Sequence, residues 1–289
     1  MIIPFPAGTA PDIVTRTLTE RLGALWGQPV VVENRPGAGG IPGMTALIKA
    51  APTGYTLAIV PSTVFALTPY LFKEARFDAE RDVAPVAPVS TTTFALAVRP
   101  ESQIRSVAEL VAAAKRSPDK MEVAVIANGA TQYGMQFFNS VAGTKLFVVG
   151  YNGSPAALGA VLGSHHVALF DGLAPMLGSV RAGRLNVLAV SAASRLPGYE
   201  NVPTLAETFP GFTVGGGLGL FAPAGTPAAI IERVNADVNT VLKDPQVVAR
   251  LAELIFYPFP GTPGDLAEYL KRERALWARI AKEADIKPQ

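Results

Sequence analysis

The chain alternates short apolar runs typical of β-strands with stretches whose apolar residues fall at helical spacing. In the first helical stretch, Val14, Leu18, Leu22 and Leu25 would form one buried stripe that ends at Gly27. Such alternation is typical of α/β proteins, in which helices pack on a sheet. The sequence therefore predicts an α/β fold, and 289 residues at roughly 150 per domain favour two domains.

Strands and helices can be assigned along most of the chain. The predicted strands are 30–32, 55–60, 94–98, 122–126, 146–149, 167–170, 185–190 and 218–222. The predicted helices are 11–25, a short one through 47–48, 107–116, about 131–141, 155–162, 227–242, 245–255 and 265–284. The last three helices follow one another without a strand, so we expect them to pack on an earlier part of the chain.

The first helix carries a sequence signal for its N-terminus. Thr9 is followed three residues later by Asp12, which is a capping box with an acidic third residue. Pro11 suits the first turn, where its missing N–H costs no helical hydrogen bond. We therefore expect the Thr9 side chain to cap this helix.

Composition argues against several kinds of site. The absence of cysteine removes disulfides, thiolate metal ligands, cysteine nucleophiles and iron–sulfur clusters. The two histidines, His165 and His166, are adjacent and would point to opposite faces of a strand, so we interpret them as structural or surface residues and expect no metal. The 25 basic and 23 acidic residues give a net charge of +2 without basic clusters, which argues against nucleic acid as a partner.

The sequence contains no run that predicts a membrane span, because Lys, Pro or Gly interrupts every candidate before the ~18 residues required. Met1 stands directly before Ile2, Ile3 and Pro4, which resemble a strand already under way. We interpret Met1 as a start codon placed before a mature protein whose signal peptide has been removed.

Small and hydroxyl residues collect at four places where a predicted strand ends and a helix opens. In open α/β sheets these strand ends border the ligand crevice, and helix N-termini bind anions through free N–H groups. Such a crevice would suit a carboxylate, although the same residue types are also common as plain caps and turns. The four segments are Gly8-Thr9, Ser62-Thr63, 128–131 and 152–154.

Catalytic motifs are absent from the sequence, which has no G-x-S-x-G, no P-loop and no H-E-x-x-H. The glycine-rich loop 37–40 follows a predicted strand, as a dinucleotide-binding loop would. The third glycine of that fingerprint falls at Gly43, one position late, and Pro42 stands at the expected position. A nicotinamide cofactor is therefore disfavoured. Asp12 and Asp171 could form an acid/base pair, but no electrophile or base accompanies them. A cap role for Asp12 is the simpler interpretation, and the sequence favours binding over turnover.

Seven motifs, in this order along the chain, point to one known family. They are PFPAGTAPD (4–12), VVVENRPGAGGIPG (30–43), PTGYTLAIV (52–60), GYNGSPAAL (150–158), AGRLNVLAVSAASR (182–195), VPTLAE (202–207) and LFAPAGTP (220–227). With these motifs the sequence resembles the extracytoplasmic solute receptors of the tripartite tricarboxylate transporters, often called Bug receptors. The similarity runs from about Ile2 to Ile286.

The resemblance implies a type II periplasmic-binding-protein architecture, with two α/β domains joined by two crossovers and a ligand cleft between them. The first domain would comprise residues 1–98 plus 222–289, and the second 99–221. The crossovers, near Val98-Arg99 and Phe221-Ala222, would act as a hinge. The resemblance also implies a periplasmic monomer that is not an enzyme and needs no cofactor.

Receptors of this family bind small carboxylic acids largely through backbone N–H groups, hydroxyls and ordered waters, and deliver them to membrane permease subunits. The matching motifs place the expected ligand-binding residues in both domains. In the first domain they are Phe5, Ala7, Gly8, Thr9, Asp12, Ser62 and Thr63. In the second they are Asn128, Gly129, Thr131, Tyr151, Asn152, Gly153 and Asp171.

Three positions depart from the family pattern. The family usually has a second glycine where this chain has Thr9, whose hydroxyl could replace a water. A common lysine is Asn152 here, which removes a cation, and glycines 215–217 with Leu218 stand where relatives usually carry an aromatic residue. The ligand of any one relative therefore cannot be transferred to this chain.

We expect an uptake receptor that captures an organic acid for a permease of the tripartite type. The alternative, from a different class, is a ligand-sensing module that docks on a sensor kinase. An enzymatic function would need a turnover-competent pair such as Asp12 with Asp171. Neighbouring genes would separate the first two hypotheses, because a permease favours transport and a kinase favours sensing.

Overall fold

The computed structural model describes residues 1–284 and 286–288, which fold into two compact units. Unit 1 comprises residues 1–91, 216–281 and 286–288, and unit 2 comprises residues 92–215 and 282–284. The strands are β1 (Ile2–Ile3), β2 (Glu33–Asn34), β3 (Ala58–Pro61), β4 (Val83–Val98), β5 (Glu122–Ile126), β6 (Phe147–Tyr151), β7 (Ala168–Gly172), β8 (Asn186–Val190), β9 (Gly215–Pro223) and β10 (Tyr257–Pro258).

The helices alternate with these strands until β9, after which they dominate. They are α1 (Ala10–Trp26), α2 (Ile41–Ile48), α3 (Ser62–Ala66), α4 (Thr68–Leu71), α5 (Val107–Arg116), α6 (Ala130–Ala142), α7 (Ser154–Leu162), α8 (Leu173–Arg181), α9 (Leu205–Thr208), α10 (Ala228–Val241), α11 (Pro245–Glu253) and α12 (Pro263–Glu283). This alternation confirms the predicted α/β class.

Unit 1 is built on a sheet with the strand order β2-β1-β3-β9-β4, and β10 pairs with β4. β1 runs parallel to β2 and β3, whereas β9 runs antiparallel to β3 with Ala58 opposite Phe221. Because β1 and β3 are parallel neighbours, their carboxyl ends lie at the same edge of the sheet. That edge carries the loop after β1 and the start of α3.

The core of unit 1 shows where the C-terminal helices pack. Val14, Leu18 and Leu22 of α1 are fully buried, in one cluster with Val238 of α10 and Leu251 of α11. The expected packing of the C-terminal helices on an earlier part of the chain is thereby confirmed.

The end of the predicted α1 stripe is wrong. Leu25 is 48% exposed, and Trp26 packs against the cluster instead. Val14, Leu18, Leu22 and Trp26 follow one another at intervals of four residues, so Trp26 continues the buried stripe, whereas Leu25 comes three residues after Leu22 and lies towards solvent.

Unit 2 is built on a second sheet, in which β5 runs parallel to both β6 and β7. β4 pairs antiparallel with β7 and with β8. The helices α6, α7 and α8 follow β5, β6 and β7 directly. The carboxyl ends of these three parallel strands therefore place three helix N-termini at one edge of the sheet.

Several predicted elements differ from the structure. The predicted strand 30–32 precedes the actual strand β2 (Glu33–Asn34), and β4 begins at Val83 instead of Phe94. Pro85 and Pro88 disfavour a strand in local sequence, but here β4 tolerates them. The short helices α3, α4 and α9 and the helix α8 were not predicted, because they are brief or interrupted by Gly and Pro.

Candidate functional site

The loop that follows β1, residues 4–9, is held in place by Asp12. The N–H of Gly8 donates to Asp12 Oδ2 at 2.9 Å, and Asn34 Nδ2 donates to Asp12 Oδ1 at 2.8 Å. Asn34 Nδ2 also donates to the carbonyl of Phe5 at 3.0 Å, and Arg16 Nε donates to Asp12 Oδ2 at 3.0 Å. Both carboxylate oxygens of Asp12 are therefore engaged in shaping the loop.

Asp12 is ionised in this setting. Burial would raise the pKa of Asp12, but the hydrogen bonds from Arg16, Asn34 and Gly8 outweigh burial and hold this pKa below its ordinary value. A carboxylate that accepts bonds from three donors and pairs with a cation is a structural anion, not a free acid or base. The geometry thus disfavours the enzymatic hypothesis and agrees with the simpler structural interpretation of Asp12.

The same loop rests on two glycines of the second motif. A Cβ on Gly43 would lie 2.7 Å from Pro4 Cβ, so only glycine permits this approach of α2 to the loop. A Cβ on Gly40, which has φ of +95°, would lie 3.2 Å from both Pro4 and Val64. Gly40 thus lies between the loop after β1 and α3. Gly40 and Gly43 allow the segments around them to pack closely against this loop.

The predicted capping box at Thr9 is wrong. Thr9 occupies the N-cap position of α1, but its side chain makes no capping hydrogen bond. Its Oγ1 donates to the carbonyl of Pro6 at 2.8 Å, and the Asp12 carboxylate accepts the N–H of Gly8 instead of that of Thr9. A hydroxyl has one proton, so Thr9 offers a carboxylate no further donor, while the first N–H groups of α1 lack a side-chain cap.

Ser62 and Thr63 open α3 directly after β3. Ser62 is buried, and its Oγ lies 3.2 Å from Glu273 Oε2 and accepts the N–H of Gly217 at 3.3 Å. Thr63 is half-buried at the same strand end. Ser62 is therefore tied to α12 and β9 by hydrogen bonds.

Glu273 belongs to this side of the molecule and was not predicted. It is 8% exposed and lies on α12 among the buried residues Leu270, Trp277 and Ile280. The signal was present in the sequence, because the series Leu266, Leu270, Glu273, Trp277, Ile280 places a carboxyl on an apolar helical stripe.

In unit 2, the turn between β5 and α6 contains Asn128 and Gly129. Asn128 is exposed with φ of +54°, and its N–H donates to Gln132 Oε1 at 2.7 Å. Gly129 is the N-cap residue of α6 and provides no side chain to cap the helix. Thr131 is buried, and its hydroxyl accepts from the N–H and donates to the carbonyl of Ile126. The Thr131 hydroxyl is thus used to hold α6 on β5.

Tyr151 is the last residue of β6, and Asn152 and Gly153 form the turn before α7. The hydroxyl of Tyr151 lies 2.5 Å from His166 Nε2, and His166 Nδ1 lies 2.7 Å from Glu122 Oε2. Asn152 is exposed, and Gly153, with φ of +145°, is the N-cap residue of α7. The polar end of Tyr151 is therefore committed to His166, which leaves Asn152 and the helix N–H groups open.

The two histidines differ in their surroundings. His165 is exposed and His166 is buried, with a tyrosine hydroxyl and a carboxylate as partners. Over residues 1–284 and 286–288, no three His, Asp or Glu side chains are grouped so that they could hold a metal ion. His166 is a hydrogen-bonded core residue.

Asp171 is the next-to-last residue of β7, and Gly172 separates it from α8. Its Oδ1 accepts the N–H of Gly172 at 2.7 Å, but its buried Oδ2 has no partner among the described residues. Burial raises the pKa of Asp171, although the Ser154 hydroxyl and the Gly172 N–H oppose this. An unpaired buried carboxyl oxygen costs free energy, which agrees with the raised pKa of Asp171.

Side-chain capping varies among the helices of the fold. Ser106, Thr204 and Asp244 cap α5, α9 and α11 through their side chains. Among the described residues, no N-cap side chain bonds to α6, α7 or α8. The first N–H groups of these three helices lack intrahelical acceptors and gather where β5, β6 and β7 end. The arrangement can bind an anion by backbone donors and helix dipoles.

The predicted site residues thus fall into two groups, one in each unit. In unit 1 they lie at the shared carboxyl edge of β1 and β3, and in unit 2 at that of β5, β6 and β7. The side chains of Asp12, Thr131 and Tyr151 are used within their own unit. The exposed members are Ala7, Gly8, Asn128 and Asn152.

Comparison with known proteins identifies the family. The model of the tripartite tricarboxylate transporter family receptors matches residues 14–286. The chain belongs to this receptor family. A UPF0065 protein of Bordetella bronchiseptica is 34% identical over 100% of this chain and 86% of its own length. BugT of Bordetella pertussis is 31% identical over 99% of this chain and 89% of its own.

Solved structures extend the comparison of this receptor to the fold. An R. palustris protein solved with adipate is 28% identical, with a TM-score of 0.83 over 100% of this chain and 97% of that one. The periplasmic binding protein BugD is 27% identical, with a TM-score of 0.80 over 100% and 98%. MatC of Rhodopseudomonas palustris, solved with bound malate, is 27% identical, with a TM-score of 0.78 over 96% and 97%.

These likenesses confirm the predicted family and the type II periplasmic-binding-protein-like α/β fold. The receptor family and its solved members are periplasmic solute-binding proteins and not enzymes. In the described part of this chain, no helix combines the length and apolar character that a membrane crossing requires.

Proposed function

We propose that this receptor captures a small organic carboxylate and delivers it to a permease of the tripartite type. The observation that carries the proposal is the row of three uncapped helix N-termini, α6, α7 and α8, at one edge of the unit 2 sheet. Each helix N-terminus stabilises a nearby anion by about 0.3–1 kcal/mol, and by up to about 2 kcal/mol when partly buried.

The residue types of the predicted site support the binding of an anion without a Lys or Arg side chain. None of the predicted site residues is Lys or Arg, and Asn152 occupies the position of a common family lysine. Backbone N–H groups, the Thr63 hydroxyl and the side-chain amides of Asn128 and Asn152 are then the donors that remain, since the Thr9 and Thr131 hydroxyls donate elsewhere. We infer that one carboxylate of the ligand lies at the helix N-termini of unit 2.

Asp171 narrows the ligand class. Its buried Oδ2 faces no partner among the described residues, and a second anion beside it would be repelled. A hydroxyl group of the ligand, or an apolar spacer, is compatible with Asp171, whereas a carboxylate is compatible only with its neutral form. Hydroxy acids and linear dicarboxylates fit these demands, as the malate and adipate of the solved relatives illustrate.

A thermal-shift panel tests the proposal. The panel contains acetate, malate, adipate and citrate, with glucose as a neutral control. A ligand at 100 times its Kd adds about 2.7 kcal/mol to the free energy of unfolding, which raises Tm by roughly 5–10 °C. A shift with glucose and none with any acid would overturn the proposal.

A matched pair of variants locates the binding edge. Asn152→Asp places a negative charge at the start of α7, and we expect it to weaken binding of the acid about tenfold or more. Asn201→Asp makes the same charge change at an exposed position of unit 2 outside the proposed site, and should leave affinity unchanged. Equal affinities for the two variants would place recognition elsewhere.

A further inference from the structure

A buried carboxyl group lies behind the strand end of unit 1 that carries Ser62. Glu273 Oε2 is 3.2 Å from Ser62 Oγ, and the same Oγ accepts the backbone N–H of Gly217 at 3.3 Å. Glu273 and Ser62 are 8% and 2% exposed. One hydroxyl therefore connects α12, β9 and the start of α3, three segments that are far apart in sequence.

Glu273 has no ion-pair partner among the described residues. The segments β3, α3, β4 and β9 contain no titratable side chain at all. On α12 itself, the groups that act on Glu273 are the Trp277 indole N–H, the exposed Arg272 guanidinium and the Tyr269 phenol. No ion pair to Glu273 occurs among the described residues, so the ionised form is buried without a cation.

The Ser62 hydroxyl can donate one hydrogen bond, and the protonation state of Glu273 determines its acceptor. An ionised carboxylate can only accept, so Ser62 then donates its proton to Glu273. A neutral carboxyl can donate to Ser62 Oγ, which already accepts from Gly217. In that case the Ser62 proton is released for another acceptor, either the neighbouring Tyr269 oxygen or a ligand.

We propose that Glu273 is a positioning residue for ligand binding, and that it holds a proton when a carboxylate ligand occupies the Ser62-Thr63 end of β3. This inference rests on the proposed function. A bound carboxylate and an ionised Glu273 would place two negative charges on either side of one hydroxyl, with no cation between them. The neutral carboxyl removes that repulsion and directs the Ser62 proton away from Glu273.

The pH dependence expected for ligand affinity follows from the pKa of Glu273. Burial raises the pKa of Glu273 to about 7, opposed by the Ser62 hydroxyl. The ligand charge raises this pKa further, so binding takes up a proton when the pH is above 7. Affinity therefore falls as the pH rises, by at most about tenfold per pH unit for one proton.

Isothermal titration calorimetry with adipate tests this coupling, with malate and citrate as further probes. Titrations at pH 6, 7, 8 and 8.5, each in two buffers of different ionisation enthalpy, give both Kd and the number of protons taken up. Adipate and malate are fully ionised at about pH 7 and above, and citrate at about pH 8 and above, so their own titration does not contribute there. For the parent we expect proton uptake approaching one at pH 8 and a Kd that rises several-fold from pH 7 to 8.

Two variants separate coupling from structure. Glu273→Gln keeps the shape and can donate its amide to Ser62, so it should bind with a Kd that does not change from pH 7 to 8.5 and with no proton uptake. Glu268→Gln is the control, because Glu268 is an exposed residue of the same helix, 3.7 Å from Lys271, and should keep the parent's pH profile.

Each outcome decides one question. Binding by the parent that is independent of pH, or a pH dependence that persists in Glu273→Gln, overturns the role of Glu273 while the proposed function stands. An absence of binding for all three acids at pH 6 and at pH 8 overturns the proposed function and the coupling with it. A flat profile in Glu268→Gln as well would assign the effect to helix charge and overturn the proposal.

Discussion

The side-chain amide of Asn34 donates to Oδ1 of Asp12 over 2.8 Å, joining β2 to the first turn of α1. Asn34 lies in the second family motif and Asp12 in the first, and the same amide also bonds the carbonyl of Phe5. These two motifs therefore shape one loop at the end of β1, residues 4–9, whose backbone N–H groups border the proposed site.

Asn34→Ala should destabilise unit 1. The change leaves the carbonyl of Phe5 and Oδ1 of Asp12 without this donor, which costs about 1–3 kcal/mol of the free energy of unfolding. Urea denaturation measures the loss. Glu33→Gln, at the neighbouring exposed residue that pairs with Arg35, should change stability by less than about 0.5 kcal/mol, and an equal loss in both variants would contradict the assigned role of Asn34.

Asp12 and Asp171 should show opposite pH dependence, because their pKa values shift in opposite directions. The lowered pKa of Asp12 contributes stability that is present at neutral pH and lost as the pH falls below about 4. Asp12→Asn should therefore be less stable than the parent at pH 7, with the difference shrinking in acid. The raised pKa of Asp171 means that the parent loses stability as the pH rises above about 4, a loss that Asp171→Asn should not show.

Unfolding at pH 3 to 7 for the parent and both variants checks these signs. Each variant is the other's control, since both remove one buried carboxylate without changing side-chain size. A smaller difference at pH 7 than at pH 3 for Asp12→Asn would contradict its role as a structural anion.

Glu273→Gln should stabilise the protein in alkaline solution. The parent favours the neutral carboxyl in the folded state, with a pKa of about 7 against 4.5 for an ordinary glutamate, so its stability declines as the pH rises between these values. The variant escapes this decline and should gain about 3 kcal/mol at pH 8, with no gain at pH 4. Urea denaturation at both pH values measures the gain, and Glu268→Gln should show none.

Tyr151→Phe should affect stability more than ligand binding. The Tyr151 hydroxyl lies 2.5 Å from His166 Nε2, so its removal leaves a buried histidine nitrogen without this partner and costs about 1–3 kcal/mol. Urea denaturation and acid binding by calorimetry are measured side by side. A tenfold loss of affinity without loss of stability would show that Tyr151 meets the ligand directly.

Ligand binding should bring the two units closer, if the predicted crossovers near Val98-Arg99 and Phe221-Ala222 act as a hinge. Small-angle X-ray scattering should then give a smaller radius of gyration with adipate than without it. Asn152→Asp under the same conditions is the control and should stay at the ligand-free value. An unchanged radius of gyration in the presence of a ligand that calorimetry shows to bind would contradict closure.

The sequence alone determined the elements whose signals are local. The helix α5 (Val107–Arg116) and the strand β5 (Glu122–Ile126) match their predicted bounds. The helix begins at the Ser106 cap, whose oxygen accepts the N–H of Glu109, and the strand is a short apolar run bounded by polar residues. The small and hydroxyl residues also located the turns after β1, β3, β5 and β6, because turn chemistry depends on Gly, Asn, Ser and Thr.

Only the tertiary structure decided how the polar side chains at those turns are used. Thr9 stands where the sequence predicts a helix cap, yet its hydroxyl donates to the carbonyl of Pro6. The Asp12 carboxylate accepts the N–H of Gly8 and not that of Thr9. Ser62 has the sequence of a ligand-binding hydroxyl, yet it meets Glu273, a residue from another part of the chain. Periodicity and capping act over a few residues and can be read locally, whereas the partner of a buried polar group depends on which distant segments the core brings together.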